Sequence, residues 1–151
     1  MLQPPEAYKD MLETYYKYTV PVIYPGKLLE MIESGEQYLL LDTREKEEFQ
    51  VSRIHNATLV GYQDFSLKSA NKEAKNIPVI VYCSIGARSE EIGEKLLDAG
   101  FKKVYNLYGG IFYWVNMGYP ILDSRGDTTH DIHPYNEEWG KWLNKGNKVY
   151  E

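Results

Sequence analysis

A chain of 151 residues has the length of one ordinary domain. Its net charge of −5 offers no basic surface for a phosphate backbone or for anionic lipid, so we expect neither nucleic acid nor a membrane as partner. A single cysteine, Cys83, excludes an internal disulfide, a two-cysteine redox centre and a multi-cysteine zinc site.

The first half of the chain predicts helices that alternate with strands. Apolar residues at helical spacing indicate an amphipathic helix from Pro5 to about Lys17, and Thr19 to Ile23 resemble a short edge strand. A helix from Gly26 to Glu33 follows, then a buried strand from Tyr38 to Asp42. The acidic turn after that strand, residues 45–48, is predicted to be helical and to face solvent.

The same alternation continues in the second half. Strands are predicted at Ala57–Val60, Pro78–Tyr82 and Lys103–Leu107, and helices at Gln63 to about Ala70, Ser89–Ala99 and from Gly109 onward. Five strands that alternate with helices predict a doubly wound parallel α/β sheet.

The C-terminal region has a different pattern. Residues 124–131 are polar and turn-rich, which is typical of a linker. Asn136 then predicts the N-cap of a helix that carries Trp139, Trp142 and Leu143 on one face. We expect this face to pack on the domain; a partner surface is the alternative.

Cys83 directly follows the strongest predicted strand, at the end of the sheet where ligands bind in open α/β folds. The chain has only a few residues there before the next helix, so the backbone must curl, with Gly86 at a positive φ. Such a curl directs several N–H groups to one point, and the positive end of the helix adds to them. We therefore expect the loop to stabilise the thiolate form of Cys83, which is the nucleophilic form.

Charged residues near the loop affect this expectation. Arg88 favours a negative sulfur, whereas Glu90 and Glu91 oppose it, although we expect both carboxylates to be screened by solvent. A buried structural cysteine is the alternative, because free cysteines are often buried.

Three motifs resemble single-domain rhodanese-like sulfurtransferases. The segment Cys83-Ser84-Ile85-Gly86-Ala87-Arg88-Ser89 resembles the family's C-x-x-G-x-R-S active-site loop. LLLDTREKEEF resembles its D-x-R-x-x-x-E-F segment, and GFKKVYNLYGGIFYW resembles its G-F-x-x-V-x-x-L-x-G-G-x-x-x-W ending. The resemblance covers about residues 22–122; at 52–57, SRIHNA stands where the family often has G-H-I-P-G-A.

The resemblance implies a rhodanese-like fold, a five-stranded, mostly parallel sheet flanked by helices. It places the domain at 22–122, between an N-terminal helical extension at 1–21 and a linker with a C-terminal helix at 123–151. It implies that Cys83 takes a sulfur from a donor such as thiosulfate, holds it as a persulfide, and passes it to a thiol. The anion-binding loop would consist of Ser84, Ile85, Gly86, Ala87, Arg88 and Ser89, with Arg88 attracting the donor or bracing the loop.

Five other motif residues are expected to be structural. Asp42 and Arg44 would tie loops by hydrogen bonds, Gly109 and Gly110 would allow close backbone approach, and Trp114 would anchor the core.

Two other functions compete with sulfur transfer. Cysteine-dependent phosphatases and arsenate reductases of related fold resemble C-x-x-x-x-x-R, with five residues between cysteine and arginine, whereas this chain has four. One residue spans up to about 3.5 Å, so the shorter loop favours a sulfur atom over a tetrahedral oxyanion. The second alternative is a persulfide carrier or binding module without turnover.

The partners expected are a small sulfur donor and a thiol acceptor, either a small molecule or a thioredoxin-like protein. We expect no cofactor and no metal, because His130, Asp131 and His133 lack a fourth ligand and are typical of a solvated or capping segment. The sequence lacks a signal peptide and a membrane span, which predicts a cytoplasmic protein; a periplasmic one remains possible if an export signal has been removed.

Overall fold

A computed structural model describes residues 5–69 and 75–150. The helices are α1 Glu6–Tyr15, α2 Pro25–Ser34, α3 Lys46–Val51, α4 Ala87–Asp98, α5 Gly110–Asn116 and α6 Glu137–Gly140. The strands are β1 Val22–Ile23, β2 Leu39–Asp42, β3 Ala57–Leu59, β4 Val79–Tyr82, β5 Val104–Leu107, β6 Ile121–Leu122, β7 Thr128–Thr129, β8 Asp131–Ile132 and β9 Asn147–Lys148. None of the helices in these ranges is long and apolar enough to span a bilayer.

Five strands form the main sheet in the order β1-β5-β4-β2-β3, and each adjacent pair is parallel. This confirms the predicted α/β sheet. Because the strands are parallel, the residues that follow β2, β4 and β5 meet at one edge. The N–H of Thr43 donates to the carbonyl of Tyr82 at 2.9 Å, and the N–H of Ile111 donates to the carbonyl of Cys83 at 2.9 Å.

The central strand β4 is buried on both faces. Ile80 and Tyr82 belong to one apolar cluster, with residues of α1, α2 and α5, whereas Val79 and Val81 belong to a second cluster, with residues of α4. All four side chains are fully buried. Side chains of a strand alternate between its faces, so a strand covered on both sides appears in the sequence as one apolar run.

The helices predicted after β3 and after β4 differ in extent from those in the structure. The helix predicted from Gln63 is reduced to a 3₁₀ turn at Leu67–Ser69, because this segment has too few apolar residues at helical spacing to bury a face; Ala70 lies outside the described residues. Helix α4 begins at Ala87 and not at Ser89, because Gly86 at φ +113° is its N-cap. The positive end of α4 is therefore closer to Cys83 than predicted.

The two terminal regions pack against the domain. Helix α1 buries Tyr8, Met11 and Leu12 in the first cluster. The predicted linker is wrong in part, because β7 pairs with β6 and β8 pairs with β9, and the buried Ile132 fixes this segment to the core. The predicted last helix is only four residues long, and Leu143 after it is buried, so this region packs on the domain.

The start of α5 requires glycine at position 110. A Cβ on Gly110 would overlap the carbonyl group of Ser84 and lie 2.7 Å from the carbonyl oxygen of Cys83. Gly110 also has φ +66°, which a side chain resists. Close approach of α5 to the loop after β4 therefore depends on this glycine.

We predict that Gly110→Ala lowers the free energy of unfolding by about 3 kcal/mol or more, since it adds backbone overlap to an unfavourable φ. Gly35→Ala is the matched control, because Gly35 has φ +76° with no atom within 4 Å of the added Cβ. It should lose only about 1–2 kcal/mol. Urea unfolding of both variants measures the difference, and equal losses would contradict the close approach.

Candidate active site

Cys83 lies in the loop between β4 and α4 and is 1% exposed. Its Sγ accepts a hydrogen bond from the N–H of Gly86 at 3.0 Å and has the Oγ of Ser89 at 3.5 Å. The positive φ predicted for Gly86 is present and turns this N–H toward the sulfur. The N–H of Gly86 and the N-terminus of α4 are both directed at this sulfur atom, an arrangement that favours negative charge there.

Asn106 supports the loop from the neighbouring strand β5. Its Nδ2 donates to the carbonyl of Gly86 at 3.0 Å, and its Oδ1 accepts from the Oγ of Ser89 at 2.6 Å. A hydroxyl has one proton, so Ser89 can donate either to Asn106 or to Cys83. The sequence analysis did not single out Asn106. The available signal was that Asn106 is a polar residue within an otherwise apolar strand.

Glu48 is the main correction to the predicted site. It was expected to face solvent with the rest of the turn 45–48, but it is 1% exposed and contacts the loop. Its two carboxylate oxygens accept from Nη1 and Nη2 of Arg88 at 3.1 and 3.3 Å. The Oγ of Ser84 donates to Glu48 at 3.1 Å, and Arg88 in turn donates to that Oγ at 2.9 Å.

The local geometry of α3 explains why Glu48 is buried. Glu45 and Glu48 form a capping box, in which Oε1 of Glu48 accepts from the N–H of Glu45 at 3.0 Å. This turns Glu48 inward, whereas Lys46 and Glu47 are exposed as predicted. Glu48 is also the glutamate of the D-x-R-x-x-x-E-F segment, which was the available signal.

The Glu48 and Arg88 pair is ionised. Burial opposes a charged Glu48, but the Arg88 guanidinium outweighs it and lowers the pKa of Glu48 below its ordinary value. Burial likewise opposes a charged Arg88, but the nearby Cys83 and Glu48 raise the pKa of Arg88. Arg88 therefore braces the loop, and Glu48 compensates its charge.

Asp42 and Arg44 form a second buried ion pair, with 2.7 Å between Nη2 and Oδ2. Arg44 also donates to the carbonyl of Ser52 at 2.7 Å, which ties the end of β2 to the turn at 52–57. In the described part of the chain, Nη1 of Arg44 and Oγ of Ser52 are buried without a hydrogen-bond partner. These contacts agree with the structural role predicted for both residues.

Tyrosines of the N-terminal region hold the other side of the loop. The hydroxyl of Tyr16 donates to the carbonyl of Ile85 at 2.5 Å and accepts from the N–H of Gly109 at 2.9 Å. The hydroxyl of Tyr8 donates to the carbonyl of Gly109 at 2.6 Å. The close backbone approach predicted at Gly109 and Gly110 therefore involves these two tyrosines, for which no sequence pattern indicated a role.

Glu90 is a second correction. It was expected to be solvated but is 4% exposed, because its carboxylate accepts from the N–H groups of Lys17 and Tyr18 at 3.0 and 2.8 Å. These bonds fix the end of the N-terminal extension to the first turn of α4. Glu91 is exposed, as predicted, and accepts from the hydroxyl of Tyr62.

A cavity of about 180 Å³ opens next to Cys83. Its lining residues come from the loop and from both terminal regions: Tyr15, Cys83, Ser84, Ile85, Ala87, Arg88, Tyr135 and Trp139. The rings of Tyr15 and Trp139 meet edge to face with centroids 5.3 Å apart. Tyr15 and Trp139 therefore bring the N-terminal and C-terminal regions together beside Cys83.

Two of the histidines lie near the C-terminus. Within residues 5–69 and 75–150, no group of three or more His, Cys, Asp or Glu side chains is placed to hold a metal ion. Nδ1 of His133 instead accepts from the N–H of Tyr135 at 3.0 Å, a capping contact of the kind predicted.

Comparison with known proteins identifies the family of this loop. The model of the Rhodanese-like domain family matches residues 24–117. The thiosulfate sulfurtransferase GlpE of Coxiella burnetii is 35% identical over 79 residues, which are 50% of this chain and 70% of that protein. The tRNA uridine(34) hydroxylase of Cytophaga hutchinsonii is 31% identical over 119 residues, 72% of this chain but only 38% of the hydroxylase.

A solved structure is similar in fold over most of this chain. The thiosulfate sulfurtransferase of Pseudomonas aeruginosa superposes with a TM-score of 0.66 and covers 91% of this chain, which corresponds to 26% of that protein. At 20% identity, this match shows the fold alone.

We predict that Glu48→Gln lowers the free energy of unfolding by about 2–4 kcal/mol at pH 7, because it removes the charge that compensates the largely buried Arg88. Glu47→Gln, one residue earlier and exposed, should stay within about 0.5 kcal/mol of the parent. Urea unfolding measures both variants.

The ion pair of Glu48 and Arg88 makes the free energy of unfolding depend on pH. Because the pKa of Glu48 is lowered by folding, its contribution is fully present above its ordinary value of 4.5 and is lost as the pH falls through the folded-state value. The difference between the parent and Glu48→Gln should therefore shrink below about pH 4.5. A difference that is constant with pH would contradict an ionised pair.

We also predict that Tyr16→Phe lowers the free energy of unfolding by about 1–3 kcal/mol, because it leaves the Gly109 N–H and the Ile85 carbonyl without this partner. Tyr18→Phe is the control, since that hydroxyl bonds the exposed Glu13. It should change stability by less than about 0.5 kcal/mol. Equal effects in urea unfolding would show that the Tyr16 hydroxyl does not hold the loop.

Proposed function

The chain belongs to the rhodanese-like domain family, and we propose that it is a sulfurtransferase that carries a sulfane sulfur as a persulfide on Cys83. One observation carries the proposal: the Sγ of Cys83 accepts the Gly86 N–H at the N-terminus of α4, beside a cavity that a small donor can enter. A thiolate stabilised in this way attacks without a general base.

The first half-reaction loads the sulfur. The Cys83 thiolate attacks the outer sulfur of a donor such as thiosulfate; a sulfur–sulfur bond to Cys83 forms, the donor's sulfur–sulfur bond breaks, and sulfite leaves with the electron pair. The product is a Cys83 persulfide anion. The loop N–H groups and the positive end of α4 would stabilise the negative charge on its outer sulfur.

The second half-reaction unloads the sulfur. An acceptor thiolate attacks the outer sulfur of the persulfide, the new sulfur–sulfur bond forms on the acceptor, and Cys83 leaves as the thiolate. Because Cys83 is the only cysteine in the chain, the sulfur must pass to another molecule. A small thiol or a thioredoxin-like protein would serve as acceptor.

The phosphatase alternative is less well supported. A phosphate group brings two negative charges, and the donors it would need from Arg88 are directed at Glu48 and Ser84. The four-residue spacing between Cys83 and Arg88 also disfavours a phosphatase.

The similarity to tRNA uridine(34) hydroxylase does not lead us to propose a second function. The match covers 38% of the length of the tRNA uridine(34) hydroxylase, so most of that protein has no counterpart in the matched part. A net charge of −5 gives no general attraction for tRNA phosphates.

Intact mass spectrometry after incubation with thiosulfate tests the persulfide. We predict that the parent protein gains the mass of one sulfur atom and that Cys83→Ser gains none, because the hydroxyl cannot form the persulfide. Addition of a thiol should then return the parent to its starting mass. No gain with thiosulfate or any other sulfur donor would refute a sulfurtransferase.

Turnover assays separate the alternatives. Multiple turnovers from thiosulfate to an acceptor in the parent, with background rates in Cys83→Ser, support an enzyme. Loading without turnover would indicate a persulfide carrier. Release of phosphate from an aryl phosphate, together with failure to transfer sulfur, would replace the proposal with a phosphatase.

A further inference from the structure

The cavity beside Cys83 has aromatic walls that the family-matched residues 24–117 do not supply. Tyr15 comes from the end of α1, and Tyr135 and Trp139 come from the C-terminal region. Ile85 and Ala87 add apolar surface from the loop. Pockets of this kind bind apolar groups, with a few polar groups to orient them.

The charge of the cavity is compensated. Arg88 is the one cation among the described residues that line it, and its guanidinium is paired with the buried Glu48. The ring of Tyr135 lies 4.8 Å from the guanidinium carbon. A ligand with two negative charges therefore finds no uncompensated cation here, whereas a singly charged ligand loses less hydration on entering.

The C-terminal wall is held in place by its own backbone. Tyr135 has φ +72°, a conformation that is uncommon for a bulky residue and that needs support from its surroundings. That support comes from His133, which accepts its N–H, while Asn136 accepts the N–H of Trp139 at 2.9 Å. The backbone of this segment is therefore strained at Tyr135, whose side chain lines the cavity.

The size of the cavity limits what can occupy it. A volume of about 180 Å³ is below the range of about 300–1,000 Å³ that is usual for drug-sized ligands. Cys83 is 1% exposed, so a donor reaches its Sγ through this cavity. A small molecule fits the space.

We propose that the wall of Tyr15, Tyr135 and Trp139 binds the apolar organic group of a small sulfane-sulfur donor, an organic persulfide or thiosulfonate, in preference to inorganic thiosulfate. This inference rests on the proposed sulfurtransferase activity. With a thiosulfonate, the Cys83 thiolate attacks the terminal sulfur, the bond between that sulfur and the sulfonyl sulfur breaks, and an organic sulfinate leaves with the electron pair. The Cys83 persulfide anion is the same product as with thiosulfate.

Two thiosulfonates that both release a sulfinate test the wall, with thiosulfate for comparison. Loading of Cys83 by benzenethiosulfonate, methanethiosulfonate and thiosulfate is followed by mass spectrometry. We expect the second-order rate constant of loading with the phenyl donor to exceed that with the methyl donor by about tenfold or more, from burial of the ring and its aromatic contacts. Thiosulfate should be poorer than the phenyl donor by at least a similar factor.

Variants of the wall separate binding from chemistry. Trp139→Ala should reduce the phenyl-to-methyl ratio to about threefold or less, while Trp139→Phe should keep most of it. Tyr150→Ala is the control, because this exposed aromatic belongs to the same region but does not line the cavity, and it should keep the parent ratio. The ratio within each variant is independent of the fraction of folded protein.

The outcomes are distinct. Loading of Cys83 by all three donors with ratios near one would overturn the proposed donor class and leave the sulfurtransferase intact. A phenyl preference that persists in Trp139→Ala would overturn the role of this wall. Failure of every donor to load Cys83 would overturn the sulfurtransferase itself, and this inference with it.

Discussion

The ion pair between Glu48 and Arg88 is the interaction on which the rest of the site depends. It joins α3 to the first turn of α4, and through Ser84 it fixes the residue next to the nucleophile. Because both partners are largely buried, loss of either would leave an uncompensated charge in the interior. The donors of Arg88 are directed at Glu48 and Ser84, and the Sγ of Cys83 accepts from the N–H of Gly86 at 3.0 Å.

The loop is held from three directions, which explains how the four residues between β4 and α4 can keep one geometry. Glu48 holds it from α3, Asn106 from β5, and Tyr16 from the N-terminal extension. Each contact uses a buried hydrogen bond to a loop backbone or side-chain group. Donors fixed in this way need little rearrangement when charge develops on a bound sulfur, which is the general basis of electrostatic catalysis.

The sequence was sufficient for the parts of the fold that follow local rules. The apolar runs of β2 and β4 predicted buried parallel strands, and the position of Cys83 with Gly86 predicted a tight turn with a positive φ. It was insufficient where long-range partners overrule local preference. Glu48 and Glu90 sit in acidic turns that predict solvent exposure, yet their partners lie 40 and 72 residues away in sequence. The pairing of Tyr15 with Trp139 depends on two chain ends that no local pattern connects.

The cavity beside Cys83 is lined both by residues of the family-matched part of the chain and by residues of the two regions that flank it. Residues 24–117 contain Cys83, its loop and Glu48, whereas Tyr15, Tyr135 and Trp139 all lie outside that range. The cavity beside Cys83 is therefore completed by residues that the family match does not include. A fragment limited to residues 24–117 would keep the cysteine and the ion pair that fixes its loop but would lose three aromatic side chains of the cavity wall.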